Sequence, residues 1–185
     1  MNHDRYDDAY IADILDTVKT IAMVGASANA SRPSYFAMKY LLGKNFTVIP
    51  VNPGLGGQEI LGQKVVAALA DITTQVDMVD IFRNSAAALE ITRECIRLKD
   101  KLGLKVVWMQ LSVRNDKAAR EAEAAGLKVV MNRCPKIEYG RLSGEIGWAG
   151  VNAGVISSRR PQLGASGVQN HVLGTKRGPP KMNRR

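Results

Sequence analysis

The chain has 185 residues and a mass of 20.1 kDa, and 45% of its residues are hydrophobic, which suits one domain with a sizeable core and excludes disorder of the whole chain. Lys and Arg number 26 and Asp and Glu 17, so the formal net charge is +9. Seven basic residues and no acid lie from Arg159 to Arg185, which leaves 19 basic and 17 acidic residues elsewhere. We therefore predict one domain over residues 1–158 and a basic, disordered tail over residues 159–185.

Several classes of protein are excluded or disfavoured at the same level. No apolar run approaches the roughly 18 residues that a membrane span needs, and the first residues are too polar for a signal peptide, so we expect a cytoplasmic protein. Two cysteines, Cys95 and Cys134, can form neither a disulfide framework nor a four-ligand metal site. The two histidines, His3 and His171, lie near the chain ends, which excludes a histidine-based triad in the folded centre.

Short β-rich apolar runs alternate with longer helical patterns between Thr20 and Met131, which is typical of consecutive βαβ units. The runs are almost continuously apolar, as expected when helices cover both faces of a parallel sheet. The sequence thus predicts an α/β fold, a doubly wound parallel sheet of about five strands. The predicted strands are Thr20 to Val24, Phe46 to Val51, Val76 to Phe82, Lys105 to Gln110 and Leu127 to Met131.

Helix signals fill the intervals between these strands. Cys95 lies in an apolar stripe at helical spacing, so we expect it to pack in the core. Asn84 or Ser85 and, later, Asn115 are suited to cap helix N-termini, while Gly43 is suited to a left-handed C-terminal cap. The predicted helices are Tyr10 to Lys19, a helix from Pro33 to Gly43, Ser85 to Leu102 and Asp116 to Ala125.

The junction after the first strand is the most informative segment. An apolar strand runs into the small-residue loop Gly25 to Ala30, and a helix opens at Pro33. Backbone N–H groups and the helix dipole converge at such a junction, and Arg32 and Ser34 add a cation and a hydroxyl. The junction predicts a cradle for a phosphate or pyrophosphate.

This loop departs from the dinucleotide fingerprint GxGxxG, because only Gly25 is present and Ser27 and Ala30 occupy the other two positions. The second strand ends at Asn52, where a nicotinamide enzyme usually presents an acid to the ribose, and no Arg follows for a 2′-phosphate. Ordinary NAD binding is therefore disfavoured. A plain tight turn at Pro53 and Gly54 remains the alternative.

Three ordered motifs carry a family resemblance: Val24-Gly25-Ala26-Ser27, Asn52-Pro53-Gly54 with Gly56-Gly57, and Arg133-Cys134-Pro135. Together they resemble the CoA-binding domain of the succinyl-CoA synthetase α subunit and, more closely, the small stand-alone bacterial CoA-binding domain proteins. The resemblance covers roughly Asp13 to Leu142. The closer match extends over Ile49 to Pro53, Ile60 to Gly62, Val107 to Gln110 and Arg133 to Glu138.

The resemblance implies a Rossmann-like domain that binds coenzyme A or an acyl-CoA at the carboxyl ends of its strands. The synthetase carries a CoA-contacting lysine after the second strand, but Leu55 stands at that position, so Arg32 and Arg83 are the expected substitutes. Trp108 is equally suited to the core. The expected cofactor-binding residues are Gly25, Ser27, Ala28, Asn29, Ala30, Arg32, Ser34, Asn52, Pro53, Phe82, Arg83, Trp108 and Gln110.

Cys134 follows the fifth strand, at the rim where ligands bind in open α/β sheets. Its thiol could meet the thiol or thioester end of CoA, or Cys134 and Pro135 could simply shape a turn. No general base stands beside it in the sequence. We expect the polar residues that follow to form a solvated or subunit-contacting surface: Glu138, Tyr139, Arg141 and Glu145.

The expected function is therefore a small non-catalytic or regulatory module that binds CoA, with no metal and with a protein partner or a second copy left open. The alternatives are a Rossmann-type enzyme, either an NAD(P)-dependent oxidoreductase or an acyl-CoA transferase or ligase component that needs a partner. Nucleic-acid binding through the basic tail is a third hypothesis. That tail has no aromatic residue for stacking on bases, so specific recognition is not expected.

Overall fold

The computed structural model describes residues 1–145, and all structural statements below concern that part of the chain. Its helices are α1 (Asp8–Thr17), α2 (Pro33–Gly43), α3 (Ser85–Leu102), α4 (Asp116–Ala124) and α5 (Pro135–Leu142). Its strands are β1 (Thr20–Val24), β2 (Thr47–Val51), β3 (Glu59–Ile60), β4 (Gln63–Lys64), β5 (Met78–Ile81), β6 (Val106–Met109) and β7 (Lys128–Val130).

Five strands form one parallel sheet in the order β2-β1-β5-β6-β7, which confirms the predicted doubly wound α/β fold. The strand order reverses between β1 and β5. Val24 is in register with Val51 on one side and with Ile81 on the other, so three carboxyl ends finish at one level. Ligands of open α/β sheets bind in the crevice at such a reversal.

Two apolar layers cover the two faces of the sheet. Ala22, Val79 and Val107 point towards α3 and α4, whereas their neighbours Met23 and Met78 point towards α1, α2 and α5. Successive strand residues face opposite sides, so burial on both faces explains the continuous apolar runs of the sequence.

Most of the predicted elements are confirmed. Strand β1 and helix α3 have the predicted bounds, Cys95 is fully buried, and the side chain of Asn84 caps α3 by accepting from the Ala87 N–H. The prediction for Gly43 is wrong, because the left-handed residue after α2 is Asn45, with φ of 65°. Helix α5 and the antiparallel pair β3–β4 were not predicted.

Both edges of the sheet are covered. At the β7 edge the Tyr6 hydroxyl accepts from the Met131 N–H at 2.7 Å, and the Tyr10 hydroxyl accepts from the Val129 N–H at 3.2 Å. At the β2 edge a parallel bridge joins Val51 to Val66. These contacts satisfy backbone groups that would otherwise be open to pairing with another strand.

The predicted tail over residues 159–185 and the domain limit at residue 158 lie outside the described residues, so both remain predictions. Across residues 1–145, none of the helices combines the length and the apolar character that crossing a membrane requires.

Candidate functional site

A cleft of about 710 Å³ opens at the carboxyl ends of β1, β5 and β6, where the strand order reverses. The first turns of α2 and α5 form its walls. It is lined by Gly25, Ala26, Ser27, Arg32, Pro33, Ser34, Phe36, Ala37, Asn52, Phe82, Arg83, Gln110, Leu111, Val113, Cys134, Lys136 and Ile137.

Gly25 brings the loops after β1 and β5 into close contact. Its φ is +88°, and a Cβ built on it would lie 2.6 Å from the Phe82 carbonyl oxygen and 3.0 Å from Arg83 Cδ. Both the left-handed backbone and the missing space require glycine. Glycine at residue 25 therefore allows the loops after β1 and β5 to pack against each other beside the cleft.

Asn52 ties the loop after β2 to the loop after β1. Its Nδ2 donates to the Ala26 carbonyl oxygen at 2.7 Å, and its Oδ1 accepts from the Gly54 N–H at 2.9 Å. An aspartate there would set a carboxylate oxygen against the Ala26 carbonyl. Asn52, which stands where a nicotinamide enzyme usually has a ribose-binding acid, thus fixes the position of the loop after β1.

The loop between β1 and α2 carries backbone donors without an acceptor in the described part of the chain, and of their residues Ser27 lines the cleft. Within residues 1–145, no acceptor takes the backbone N–H of Ser27, Ala28 or Ala30. Helix α2 begins at Pro33, and the side chain of Arg32 makes no cap hydrogen bond, so the helix N-terminus stays open. Partial positive charge at an open helix N-terminus favours an anion.

Three cations surround this open helix end. Arg32, Arg83 and Lys136 all line the cleft, and none of them forms an ion pair within the described residues. Arg133, just outside, does have an acidic partner, at 3.7 Å from Glu138. The cleft therefore carries positive charge that the protein itself does not neutralise.

The cleft lining also contains apolar side chains. Among them are Phe36, Leu111, Val113 and Ile137. Phe36 and Leu111 are large apolar side chains that are 52% and 50% exposed. Such side chains favour an uncharged ligand segment that removes them from water.

A buried carboxyl lies beneath the cleft. Asp80, on the central strand β5, is fully buried, and burial raises its pKa to about 8. Gln110 Nε2 donates to both carboxylate oxygens, at 2.9 and 3.0 Å, and these bonds oppose the rise. Gln110 itself lines the cleft, so the pair connects the core to the ligand space.

Cys134 lies at the N-cap of α5, with its sulfur at the cleft wall. Burial raises the pKa of the thiol, and the backbone N–H groups of Ile137 and Lys136 oppose that rise only in part. The side chain is 9% exposed. Cys134 is thus a neutral thiol at pH 7 rather than an activated nucleophile, and Pro135 starts a helix rather than the turn considered above.

Sequence comparison decides the family. Residues 19–140, more than half of the chain, match the profile of a family described as a CoA binding domain. The chain belongs to the CoA-binding domain family. Its function is therefore related to coenzyme A.

Relatives of this CoA-binding domain include small proteins. The uncharacterized protein YneT of Bacillus subtilis (strain 168) is 31% identical over 131 residues, which are 71% of this chain and 93% of YneT. A hypothetical protein from Pyrococcus horikoshii OT3 is 38% identical with a TM-score of 0.70, covering 78% of this chain and 97% of that one.

The same fold occurs within a larger enzyme. The apo dinucleotide-forming acetyl-coenzyme A synthetase 1 of Ca. Korarchaeum cryptofilum has a TM-score of 0.54 and 22% identity, covering 66% of this chain and 28% of that one. At this identity the likeness concerns the fold alone.

The structure brings most of the residues expected to bind CoA into the cleft. Its lining contains Gly25, Ser27, Arg32, Ser34, Asn52, Phe82, Arg83 and Gln110, together with Cys134. The remaining expected residues do not line it: Ala28, Asn29, Ala30, Pro53 and Trp108. Trp108 is fully buried and donates from Nε1 to the Arg133 carbonyl oxygen at 2.8 Å, so it packs in the core.

The expectation of a solvated surface after Cys134 is wrong. Glu138 and Tyr139 are buried on α5, and the Arg141 guanidinium donates to Glu138 Oε2 at 2.7 Å. Glu145 accepts from the Tyr40 hydroxyl at 2.7 Å and pairs with a lysine of the same chain. The first pair lies within α5, and the contacts of Glu145 tie the segment after α5 to α2.

Sequence reasoning missed Lys136, Asp80 and the apolar wall of the CoA-binding domain. Lys136 reaches the cleft because α5, which was not predicted, starts directly after β7. Asp80 did carry a signal, because an acid inside the continuously apolar run from Val76 to Phe82 is unusual.

Proposed function

We propose that this protein binds coenzyme A or an acyl-CoA in the cleft between β1, β5 and β6, as a small non-catalytic or regulatory module. The observation that carries the proposal is that one cleft combines apolar side chains with three cations, Arg32, Arg83 and Lys136, that form no ion pair within the described residues. Coenzyme A combines matching features, with phosphate groups on its nucleotide and a pantetheine arm of low charge.

The positive charge of the cleft fits the phosphates of this ligand. The N-terminus of α2 has no side-chain cap hydrogen bond, and its first residues, Pro33 and Ser34, line the cleft. Arg32, Arg83 and Lys136 supply side-chain charge. They stand in for the lysine of the synthetase, whose position Leu55 occupies, because charge-assisted bonds to phosphate can come from any nearby cation.

The apolar side chains of the lining fit the pantetheine arm. Leu111, Val113 and Ile137 offer methyl groups to its carbon chain, and Gln110 offers an amide group to the arm's polar atoms. Burial of Phe36 and Leu111 by the ligand would contribute favourable free energy of about 25 cal/mol per Å².

Two features favour binding over catalysis. Burial keeps the Cys134 thiol protonated, so the thiol in the cleft lining is not activated at pH 7. Asn52 uses both polar groups of its side chain on the protein backbone, which argues against the ribose recognition of a nicotinamide enzyme. A reaction that a partner protein completes remains the second hypothesis.

Isothermal titration of the purified protein with CoA, acetyl-CoA, NAD and NADP tests the proposal. We expect saturable binding of CoA or acetyl-CoA and weaker binding of both dinucleotides. Absence of saturable CoA binding at millimolar ligand would contradict the proposal, and tighter binding of NAD would favour the oxidoreductase hypothesis.

Arg32→Ala tests the placement of the phosphates. Loss of one charge-assisted bond should weaken CoA binding by about 1.5–3 kcal/mol. The matched control is Arg97→Ala, which removes the same charge from the exposed part of α3 outside the cleft lining. Equal affinities of the two variants would place the phosphates away from Arg32.

A further inference from the structure

Burial of the Asp80 carboxyl group beside Gln110 lowers the stability of the fold. Asp80 lies in register between Met23 on β1 and Trp108 on β6, so its carboxyl group is surrounded by apolar side chains. Burying a carboxylate in such a place costs more desolvation free energy than its hydrogen bonds contribute. An apolar residue there would usually make the fold more stable. The pair therefore calls for an explanation other than stability.

The hydrogen bonds of the pair fix the direction of one amide. When Asp80 is ionised it has no hydrogen to donate, so it can receive only the NH₂ side of Gln110. Both Asp80 oxygens take Nε2, at 2.9 and 3.0 Å. Gln110 Oε1 has no partner within residues 1–145, and Gln110 lines the cleft.

We propose that ionised Asp80 is a positioning residue that turns the Gln110 carbonyl oxygen towards the cleft, where it accepts a hydrogen bond from an N–H group of the bound ligand. This inference rests on the proposed binding of CoA. In that ligand the N–H group belongs either to an amide of the pantetheine arm or to the amino group of adenine.

The proposal assigns opposite consequences to two isosteric changes. Asp80→Asn can donate to Gln110 Oε1, which ionised Asp80 cannot, so the amide is no longer held in one direction and can turn its NH₂ towards the ligand N–H. Adding Gln110→Glu to that variant restores an acceptor for the ligand N–H. The new asparagine donates to one carboxylate oxygen of the new glutamate, and the other oxygen accepts from the ligand. The single variant should lose affinity and the double variant should recover it.

The experiment measures CoA affinity by titration calorimetry at pH 9, where Asp80 is ionised. We expect about tenfold weaker binding for Asp80→Asn and recovery to within threefold of wild type for the double variant. Unfolding midpoints measured in parallel report a purely structural role, which would change stability without changing affinity. The same titrations with 3′,5′-ADP and with 4′-phosphopantetheine identify which part of CoA carries the N–H.

Each outcome decides one statement. If wild type binds no CoA, the proposed function fails. If wild type binds CoA but Asp80→Asn binds equally well, or if the double variant stays as weak as a single variant that folds, this inference fails and the proposed function stands. If Asp80→Asn does not fold, wild-type affinity in a folded double variant supports the inference and a tenfold loss overturns it.

Discussion

The buried carboxyl of Asp80 makes the stability of this protein depend on pH in a direction unlike that of most acids. Burial raises its pKa from the usual 3.8 to about 8, so between these values the folded protein holds a proton that the unfolded chain has released. Stability therefore falls as pH rises through this range. Asp80→Asn keeps the shape of the side chain and removes its titration.

The size of the effect follows from the pKa. Each pH unit in this range costs about 1.4 kcal/mol, so the Asp80 contribution changes by about 4 kcal/mol between pH 5 and pH 9. The stability of Asp80→Asn relative to wild type should rise by that amount over the same interval. Other titrating groups are common to both proteins and cancel in the difference.

Urea unfolding followed by circular dichroism at pH 5, 6, 7, 8 and 9 measures this difference. The matched control is Asp77→Asn on the same segment. At Asp77 burial raises the pKa, but hydrogen bonds from Lys105 Nζ and from the backbone N–H groups of Lys19 and Thr20 outweigh it and lower the pKa overall. Asp77 is thus ionised throughout this range, and its difference should stay constant. A constant difference for Asp80→Asn as well would refute the reasoning.

Three further predictions concern the cleft. Gly25→Ala should destabilise the fold by about 2 kcal/mol or more and weaken CoA binding, because it adds a Cβ 2.6 Å from the Phe82 carbonyl oxygen. The control Gly43→Ala has open space around its Cβ and should do neither. Equal urea midpoints for the two variants would contradict this prediction. Asn52→Asp should lower the free energy of unfolding by about 1–3 kcal/mol in the same assay and weaken CoA binding, since it loses the hydrogen bond to the Ala26 carbonyl oxygen. It should not create NAD binding. A gain of NAD affinity would contradict this prediction. Cys134 should react slowly with iodoacetamide at pH 7, faster as the pH rises past the raised pKa of its thiol, and more slowly when CoA is present. The reaction is followed by mass spectrometry. A rate at pH 7 equal to that of a free thiol would contradict this prediction.

Much of the fold follows from local patterns that the sequence displays. The five apolar runs became the five parallel strands, and α3 has the predicted bounds because Asn84 caps it and Gly103 ends it in the left-handed conformation. Pro33 likewise starts α2. These signals depend on neighbouring residues only, so they are readable without knowledge of the tertiary contacts.

Helix α5 was not predicted because tertiary contacts stabilise it. Its eight residues include a glycine and only a few apolar side chains. The ring of Tyr139 packs against Phe46, and Glu138 and Arg141 pair with each other in a partly buried site. A short helix with weak periodicity gains its stability from such packing.

The sequence by itself determined the α/β class, the strand-to-helix junction at Gly25 and the family, because each depends on local order along the chain. Only the tertiary structure decided which residues share the cleft. Lys136 joins Arg32 and Arg83 because the strand order places β7 and β1 ends around one crevice. Asp80 meets Gln110, 30 residues away, because β5 and β6 are neighbours, and this adjacency is a property of the sheet rather than of either segment.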